Sequence, residues 1–552
     1  MTVLQHRFLK LFEHLPVMKS AWSAPLLVAL LLLPAMPVSH AADGLPNLGG
    51  GEEMSVVEEK KLGMRIAREI YRDPDYIDDP VISAYVQRIW QPLLAAARKR
   101  GDISPEQQQL AWEIMIGKDR SINAFALPGG FFGLHLGLVG AVSTRDELAS
   151  VLAHELTHVS QRHIARQISK QNQQSPWLLG AMILGSIAAS KNPQAAAAVV
   201  SGAQAVSAQS QLNFSRDMER EADRIGFAIL QEAGMDVRGF TGMFDKLQAA
   251  NRINDNGSFP YLRTHPLTTE RLGDMQSRLQ LLPSAPPPAA SQAAEHALIA
   301  ARARLLSDSS VDALRSELTQ AAAALRNPLP TTANTTQRIR QTAQLYGGAL
   351  AALKSRDSAL AMRYASAAQG SLISKPFEAT PGMESAQSAI ELIVIEIAFN
   401  APPNAQTSEL QIAATAALQR LRALPGQSNQ RPMLLALAQV AHAGWLPDVS
   451  VQRSQAVDAL QTWLAEHPRD ALVWQALASL HEAQGQTLRS LRAQAEARIA
   501  LLDYGAALDR LKAAQDWARS NGANHIDASI IDTRARAVQA MVRELALDRD
   551  KP

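Results

Sequence analysis

The 552-residue chain contains no cysteine. That absence removes disulfide staples, thiolate metal sites and cysteine nucleophiles together. It assigns no compartment, though such a chain loses nothing in an oxidising one. Aromatic residues are scarce at 5%, while alanine crowds the second half of the chain. That balance suits helices packed through small residues better than a β-rich core. Charge of one sign is not in excess: 54 Lys and Arg against 52 Asp and Glu leave +2. The surplus sits in residues 1–41, where Arg7, Lys10 and Lys19 are set against Glu13, so nothing resembles a nucleic-acid footprint. With 47% hydrophobic and 19% charged residues, the composition is globular, and the length calls for two or more domains.

Long apolar runs are also missing. The run from Pro25 to Leu33 is shorter than the ~20 residues a spanning helix needs, and Pro34 and Pro37 break it. With basic residues before it and the small-x-small site Ser39-His40-Ala41 after it, residues 1–41 read as a cleavable signal peptide. Ala42 would begin a mature periplasmic chain; left uncleaved, the same segment would be an inner-membrane tether. A second apolar stretch, 175–206, is divided by Lys191-Asn192-Pro193 into runs too short to span. It is expected as a pair of core helices, or as a hairpin that roofs a cleft or touches a membrane surface.

What is present divides the chain. Residues 42–282 are varied in composition, and "PSAPPPAASQ" (283–292) reads as a stiff linker. From 293 to 552 the sequence is rich in Ala, Leu, Gln and Arg. There "DALVWQALASLHEAQG" (470–485) puts Trp474, Leu477, Ala478 and His481 on one helical face, and the pattern returns about 34 residues on with Leu508 and Leu511. Pro468 stands where a tetratricopeptide repeat closes. Such solenoids bind protein segments in a concave groove.

The chemistry concentrates in "SVLAHELTHVSQRHIAR" (150–166). His154 and His158 fall one turn apart on a helix that Thr144 and Glu147 can cap, and Glu155 stands beside them. Two imidazoles so spaced can bind Zn²⁺, with the Glu directed at water. A chance match in a chain of this composition has a probability of roughly one in a hundred. The longer motif with Gly at 161 and His at 164 fails, because Gln161 and Ile164 stand there and His163 is one position out of phase. A third ligand must therefore come from elsewhere, and a carboxylate on a second helix is expected. In "NFSRDMEREADRIGFAIL" (213–230), Glu219, Ala222, Asp223 and Gly226 form one stripe. The two small residues allow close approach, Glu219 can bind metal, and Asp223 can accept the free ring N–H of a ligand histidine.

H-E-x-x-H followed by E-x-x-A-D resembles the zinc metallopeptidases that include the HtpX-like and CAAX prenyl proteases. "INAFALPGGFFGLHLGLV" (122–139) is similar to that family's edge strand, with Gly129 and Gly130 permitting a bulge or close backbone approach and His135 structural. "SRDMEREADRIGF" and "YLRTHPLTTERL" resemble its soluble periplasmic branch. The resemblance implies one zinc per chain held by His154, His158 and Glu219, with Glu155 as general base. It also implies that His265 lies over the metal, as a fourth ligand in a resting state or as an oxyanion donor. The expected architecture is α+β, mostly α: a gluzincin-type metallopeptidase domain with a small β-sheet over 42–282, then an α-helical tetratricopeptide-repeat solenoid. The resemblance further implies stalled outer-membrane β-barrel proteins as clients and the machinery that inserts them as a partner of the repeats. A chaperone or scaffold with a mostly silent metal site is the other reading the sequence permits.

Overall fold

Ser55 and Glu58 cap each other, the Ser55 hydroxyl accepting the Glu58 N–H and the Glu58 carboxylate accepting the Ser55 N–H. This reciprocal cap satisfies donors left over at a helix start and opens α1, Val56–Arg72. The computed structural model describes residues 54–170, 214–252, 260–283, 289–330, 332–373, 382–402, 405–522 and 524–549. The leader and the 175–206 stretch lie outside them. Helix α2, Pro80–Arg100, is capped by Asp79 and stopped at Gly101 with φ +79°, a start and stop that proline at the first position and glycine at the end signal directly. Its inner face buries Ile82, Tyr85, Ile89, Trp90 and Leu93.

The chain then forms a small sheet from β1 (Tyr76–Ile77), β2 (Glu113–Gly117), β3 (Ala124–Leu127) and β4 (Phe131–His135). The strand order is β1-β2-β4-β3, with β2 and β4 parallel and the outer pairs antiparallel. Strand β3 is therefore an edge. Gly129 and Gly130, with φ of +77° and +80°, turn β3 into β4; glycine adopts that backbone without steric cost. Phe125 on β3 lies over its register partner Gly133 on β4, where a Cβ would stand 2.1 Å from the ring. That fit pins the register of the edge strand.

Two helices follow the sheet, α3 (Leu136–Ala141) and α4 (Arg145–Ser160). Thr144 caps α4 by accepting the Glu147 N–H at 3.1 Å. Glu147 accepts from Ser143 N–H, not from Thr144, so half of the expected capping box forms. Next come α5 (His163–Lys170), α6 (Arg216–Glu232), α7 (Gly239–Arg252), α8 (Pro260–Thr264) and α9 (Thr269–Gln280). Helix α4 is central, packed by α6, α7, α2 and β3.

The second half is wholly helical among the described residues: α10 (Ala290–Ser307), α11 (Val311–Arg326), α12 (Thr335–Lys354), α13 (Ser358–Ile373), α14 (Glu384–Asn400), α15 (Ser408–Ala423), α16 (Arg431–Ala443), α17 (Val449–Glu466), α18 (Ala471–Ala483), α19 (Thr487–Ala500), α20 (Tyr504–Asn521) and α21 (His525–Arg549). From α11 onward each packs on the next, and α10, α12, α14, α16 and α18 also touch in succession, which is the stacking of a helical repeat region. Among the described residues, no helix is long and apolar enough to cross a membrane.

The stretch read as linker behaves in two ways. Residues 284–288 lie outside the described residues, while Ala290, Ser291 and Gln292 form the first turn of α10. Helix α10 packs against α2, α3 and α4 on one side and α12 and α14 on the other, and one continuous apolar cluster runs through both halves. Polar ties reinforce it. His296 donates to the Val142 carbonyl at 3.0 Å and accepts the Tyr85 hydroxyl at 2.7 Å. The buried Arg302 clasps both oxygens of Asp79, at 2.6 and 2.9 Å, and reaches Glu396 at 2.9 Å. Because Asp79 also caps α2, one carboxylate starts a helix of the first half and anchors a helix of the second.

Candidate active site

Every residue of α4 from Glu147 to Ser160 is buried, so its polar side chains must find partners inside the protein. Ser150, Thr157 and Ser160 donate to carbonyls of their own helix at 2.8, 2.9 and 3.3 Å. His154, Glu155 and His158 instead face other elements. One turn apart, His154 and His158 bring their Nε2 atoms to 3.0 Å.

Helix α6 lies hard against this face, as the small-residue stripe predicts. Ala222 is fully buried, and a Cβ on Gly226 would stand 3.1 Å from the Ala153 carbonyl and 3.2 Å from the His154 nitrogen. The approach delivers two carboxylates. Glu219 places its oxygens 3.5 Å from His154 Nε2 and 3.4 Å from His158 Nε2, and Asp223 Oδ1 is 2.9 Å from His154 Nδ1. Arg271, on α9, grips Asp223 through two bonds of 2.6 and 2.8 Å and pairs with Glu219 at 2.7 Å. Arg271 has no role in the sequence reading. Two acidic residues on a buried stripe were its signal, since buried carboxylates require a cation.

Hydrogen bonding dictates where the imidazole protons sit. Asp223 can only accept, so neutral His154 carries its proton on Nδ1 and leaves Nε2 bare. Glu221, also on α6, accepts from His163 Nε2 at 3.0 Å, which leaves His163 Nδ1 bare to accept from His158 Nδ1 at 2.9 Å. His158 Nε2 is thereby bare too. With both rings neutral, two lone pairs converge at 3.0 Å beside the Glu219 carboxylate, an arrangement that repels itself unless a metal ion or a second proton on His154 stands between them. Burial works against a charge on His154, yet Glu219, with Asp223 behind it, pushes the ring up to about 10. Burial drives His158 well below the usual imidazole range. Burial would raise Glu219, but His265 and His154 hold it well below the usual carboxylate range. Burial likewise opposes a charged Asp223, and Arg271 holds its pKa down.

One ligand atom each from His154, His158, Glu219 and His265 fit within 4.8 Å of one another. Three imidazoles and a carboxylate suit a divalent transition metal, and the convergent lone pairs supply the reason for one. The donor set fits.

His265 follows α8 and closes the site. Its Nδ1 is 3.0 Å from Glu219 Oε1, and its Nε2 is 3.4 Å from Glu155 Oε1. Neither that nitrogen nor either Glu155 oxygen closes a hydrogen bond of normal geometry. Burial raises the Glu155 carboxyl, opposed by His265, His154 and the backbone amide of Ala126 on edge strand β3. Glu155, Glu219 and His265 are each 1% exposed. Aromatic rings hold the imidazoles, Tyr261 stacking on His265 at 4.5 Å and Phe214 on His158 at 3.9 Å. Both rings escaped the sequence reading: Tyr261 stands one turn before His265 but has no role in that reading, and Phe214 lies at no helical spacing from the motif. The sequence-predicted residues His154, Glu155, His158, Glu219, Asp223 and His265 thus converge on one point. His135 sits apart, at 2.8 Å from the Ser121 hydroxyl.

Residues 83–279 match the model of peptidase family M48. The chain is 34% identical over 260 residues to the putative beta-barrel assembly-enhancing protease of Vibrio cholerae, covering 47% of this chain and 52% of that protein. It is 31% identical over 262 residues to the beta-barrel assembly-enhancing protease of Escherichia coli, covering 46% and 51%. The mitochondrial metalloendopeptidase OMA1 of Saccharomyces cerevisiae is 28% identical over 209 residues, covering 36% and 56%. The chain spans about half the length of the curated relatives it matches.

Proposed function

We propose that this chain, whose residues 83–279 match the model of peptidase family M48, is a periplasmic zinc metalloendopeptidase. Its clients are outer-membrane β-barrel proteins stalled in assembly, and its repeat region, of tetratricopeptide type, docks the client or the insertion machinery. One observation carries the reading: a buried cluster of His154, His158, Glu219 and His265 with the unpartnered Glu155 carboxylate against it. The relatives' names support the client class, and the leader pattern of residues 1–41 supports the compartment.

In this reading His154, His158 and Glu219 hold the metal, and His265 is a fourth donor in the resting state. Zinc bound there supplies Lewis acidity, acidifying water and polarising an amide carbonyl. Glu155 takes a proton from the attacking water and returns it to the leaving amine as the C–N bond breaks. Asp223 keeps His154 in the tautomer that presents Nε2. The free edge of β3 pairs with an extended substrate and lays its scissile bond beside Glu155.

The test is metal content and cleavage of an unfolded β-barrel substrate by wild type and Glu155→Gln. One zinc per chain, with cleavage only by wild type, is the expected result; a metal-free wild type would sink the site. The burial of Glu155 favours a second reading, a repeat-based scaffold with a silent metal centre. That reading requires Glu155→Gln to complement cells that lack the protein.

A further inference from the structure

His163 occupies a position that a continuous helix would not give it. Five residues beyond His158, it would be rotated by about 140° from it on an unbroken α-helix. The chain breaks at Gln161-Arg162, where Arg162 adopts φ +54°, a left-handed conformation costly for a residue with a side chain. Arg162 is held there by Glu59 of α1 at 3.2 Å and by the Met54 carbonyl. The break folds α5 back and sets the His163 ring edge-on to His158, with centroids 4.9 Å apart and planes at 75°. His163 is completely buried. Its Nδ1 lies 2.9 Å from His158 Nδ1 and its Nε2 3.0 Å from Glu221, which is also paired with Arg166 at 3.1 Å.

We infer that His163, backed by Glu221, is a positioning residue that fixes the tautomer and ring orientation of His158 so that its Nε2 lone pair points into the metal cluster. The inference rests on the metal-centre reading above. The two histidines of the motif are then supported in parallel. His154 is backed directly by a carboxylate paired with Arg271, and His158 by a carboxylate paired with Arg166, relayed through one imidazole. Both carboxylates, Asp223 and Glu221, come from α6, the helix that also brings Glu219. Without an acceptor at Nδ1, the His158 proton is free to move to Nε2, which blocks the lone pair that would bind metal.

The experiment uses the full chain, stripped of metal, titrated with Zn²⁺ against a chromogenic chelator and, in parallel, with Co²⁺ to read the ligand-field spectrum. His163→Leu removes the acceptor. His163→Asn keeps a carbonyl oxygen near the position of Nδ1. The leucine variant should lose about 10- to 100-fold in metal affinity, with a changed Co²⁺ spectrum, while the asparagine variant stays within a few-fold of wild type. Metal-free melting midpoints are compared, since a purely structural role would lower them without separating the two affinities. Wild-type affinity in His163→Leu, or equal losses in both variants, would overturn the inference. Should His163→Leu not fold, Glu221→Ala against Glu221→Gln makes the same comparison, because Gln still accepts from His163 and Ala does not. A wild type that binds no metal defeats the metal-centre reading itself, a different outcome from wild-type binding retained by every variant.

Discussion

His265 offers the sharpest test of how the site works, because its contacts can be weighed. Its hydrogen bond to the Glu219 carboxylate, at 3.0 Å, is worth about 1.5–3 kcal/mol. Stacking on Tyr261 adds about 0.5–1.5 kcal/mol. Against these, the shut arrangement leaves His265 Nε2 and both Glu155 oxygens buried without hydrogen bonds of normal geometry, at a cost of about 1–3 kcal/mol for each group. At most the balance favours the shut site by about 1.5 kcal/mol, so deleting the imidazole should raise the open fraction by up to roughly 10-fold. His265→Ala is therefore expected to cleave an unfolded β-barrel substrate faster than wild type by that factor, measured at saturating substrate on protein with equal metal content. A metal-replete His265→Ala slower than wild type would refute the latch and make His265 an oxyanion donor, whose loss costs about 100- to 1,000-fold.

Three further outcomes follow from the packing and charge. Gly226→Val forces side-chain atoms against the Ala153–His154 backbone. It should destabilise the fold by about 1–3 kcal/mol and weaken metal binding, since Glu219 lies two turns away on the same helix; unchanged denaturation and metal titrations would contradict the close-approach argument. Arg302→Leu strands Asp79 in the core and should cost about 3–5 kcal/mol; a denaturation curve close to wild type would show that the clasp is dispensable. In the metal-free protein, His154 is raised from 6.5 to about 10. Its contribution to stability is complete below about pH 6.5 and is lost as pH rises through 10. Chelated protein should therefore melt lower at pH 9.5 than at pH 6.5, while metal affinity climbs over the same interval as the competing proton leaves.

The half of the site carried by helical spacing was legible in advance. The one-turn separation of His154 and His158, and the Glu219–Asp223 stripe with its small residues, are local properties of a helix, and the fold needed only to bring two such faces together. Arg271 and Phe214 were not legible, because each is defined by what it touches across the fold, whereas Tyr261 stands one turn before His265. His163 was set aside on register, and register is what the left-handed turn at Arg162 changes. The edge position of β3 was expected from the resemblance alone, because it follows from which strands pair, which composition does not encode. In the second half, α18 and α20 begin at Ala471 and Tyr504, close to the interval read from the sequence. The earlier first helices begin at Thr335, Glu384 and Arg431, spread apart by longer connections such as 327–337. The role of α10 was hidden for a different reason: an alanine-rich helix that packs on both sides looks the same in sequence as one that packs on one.

That helix sets an order of events during synthesis. Everything in the metal cluster has been made by residue 271, yet the α3 surface that His296 and Arg304 cover, and the second anchor of Asp79, arrive only with Ala290–Ser307. A chain emerging from its amino end carries a complete set of metal donors on an incomplete core. The packing of the first half is thereby completed only when the helical half begins to appear.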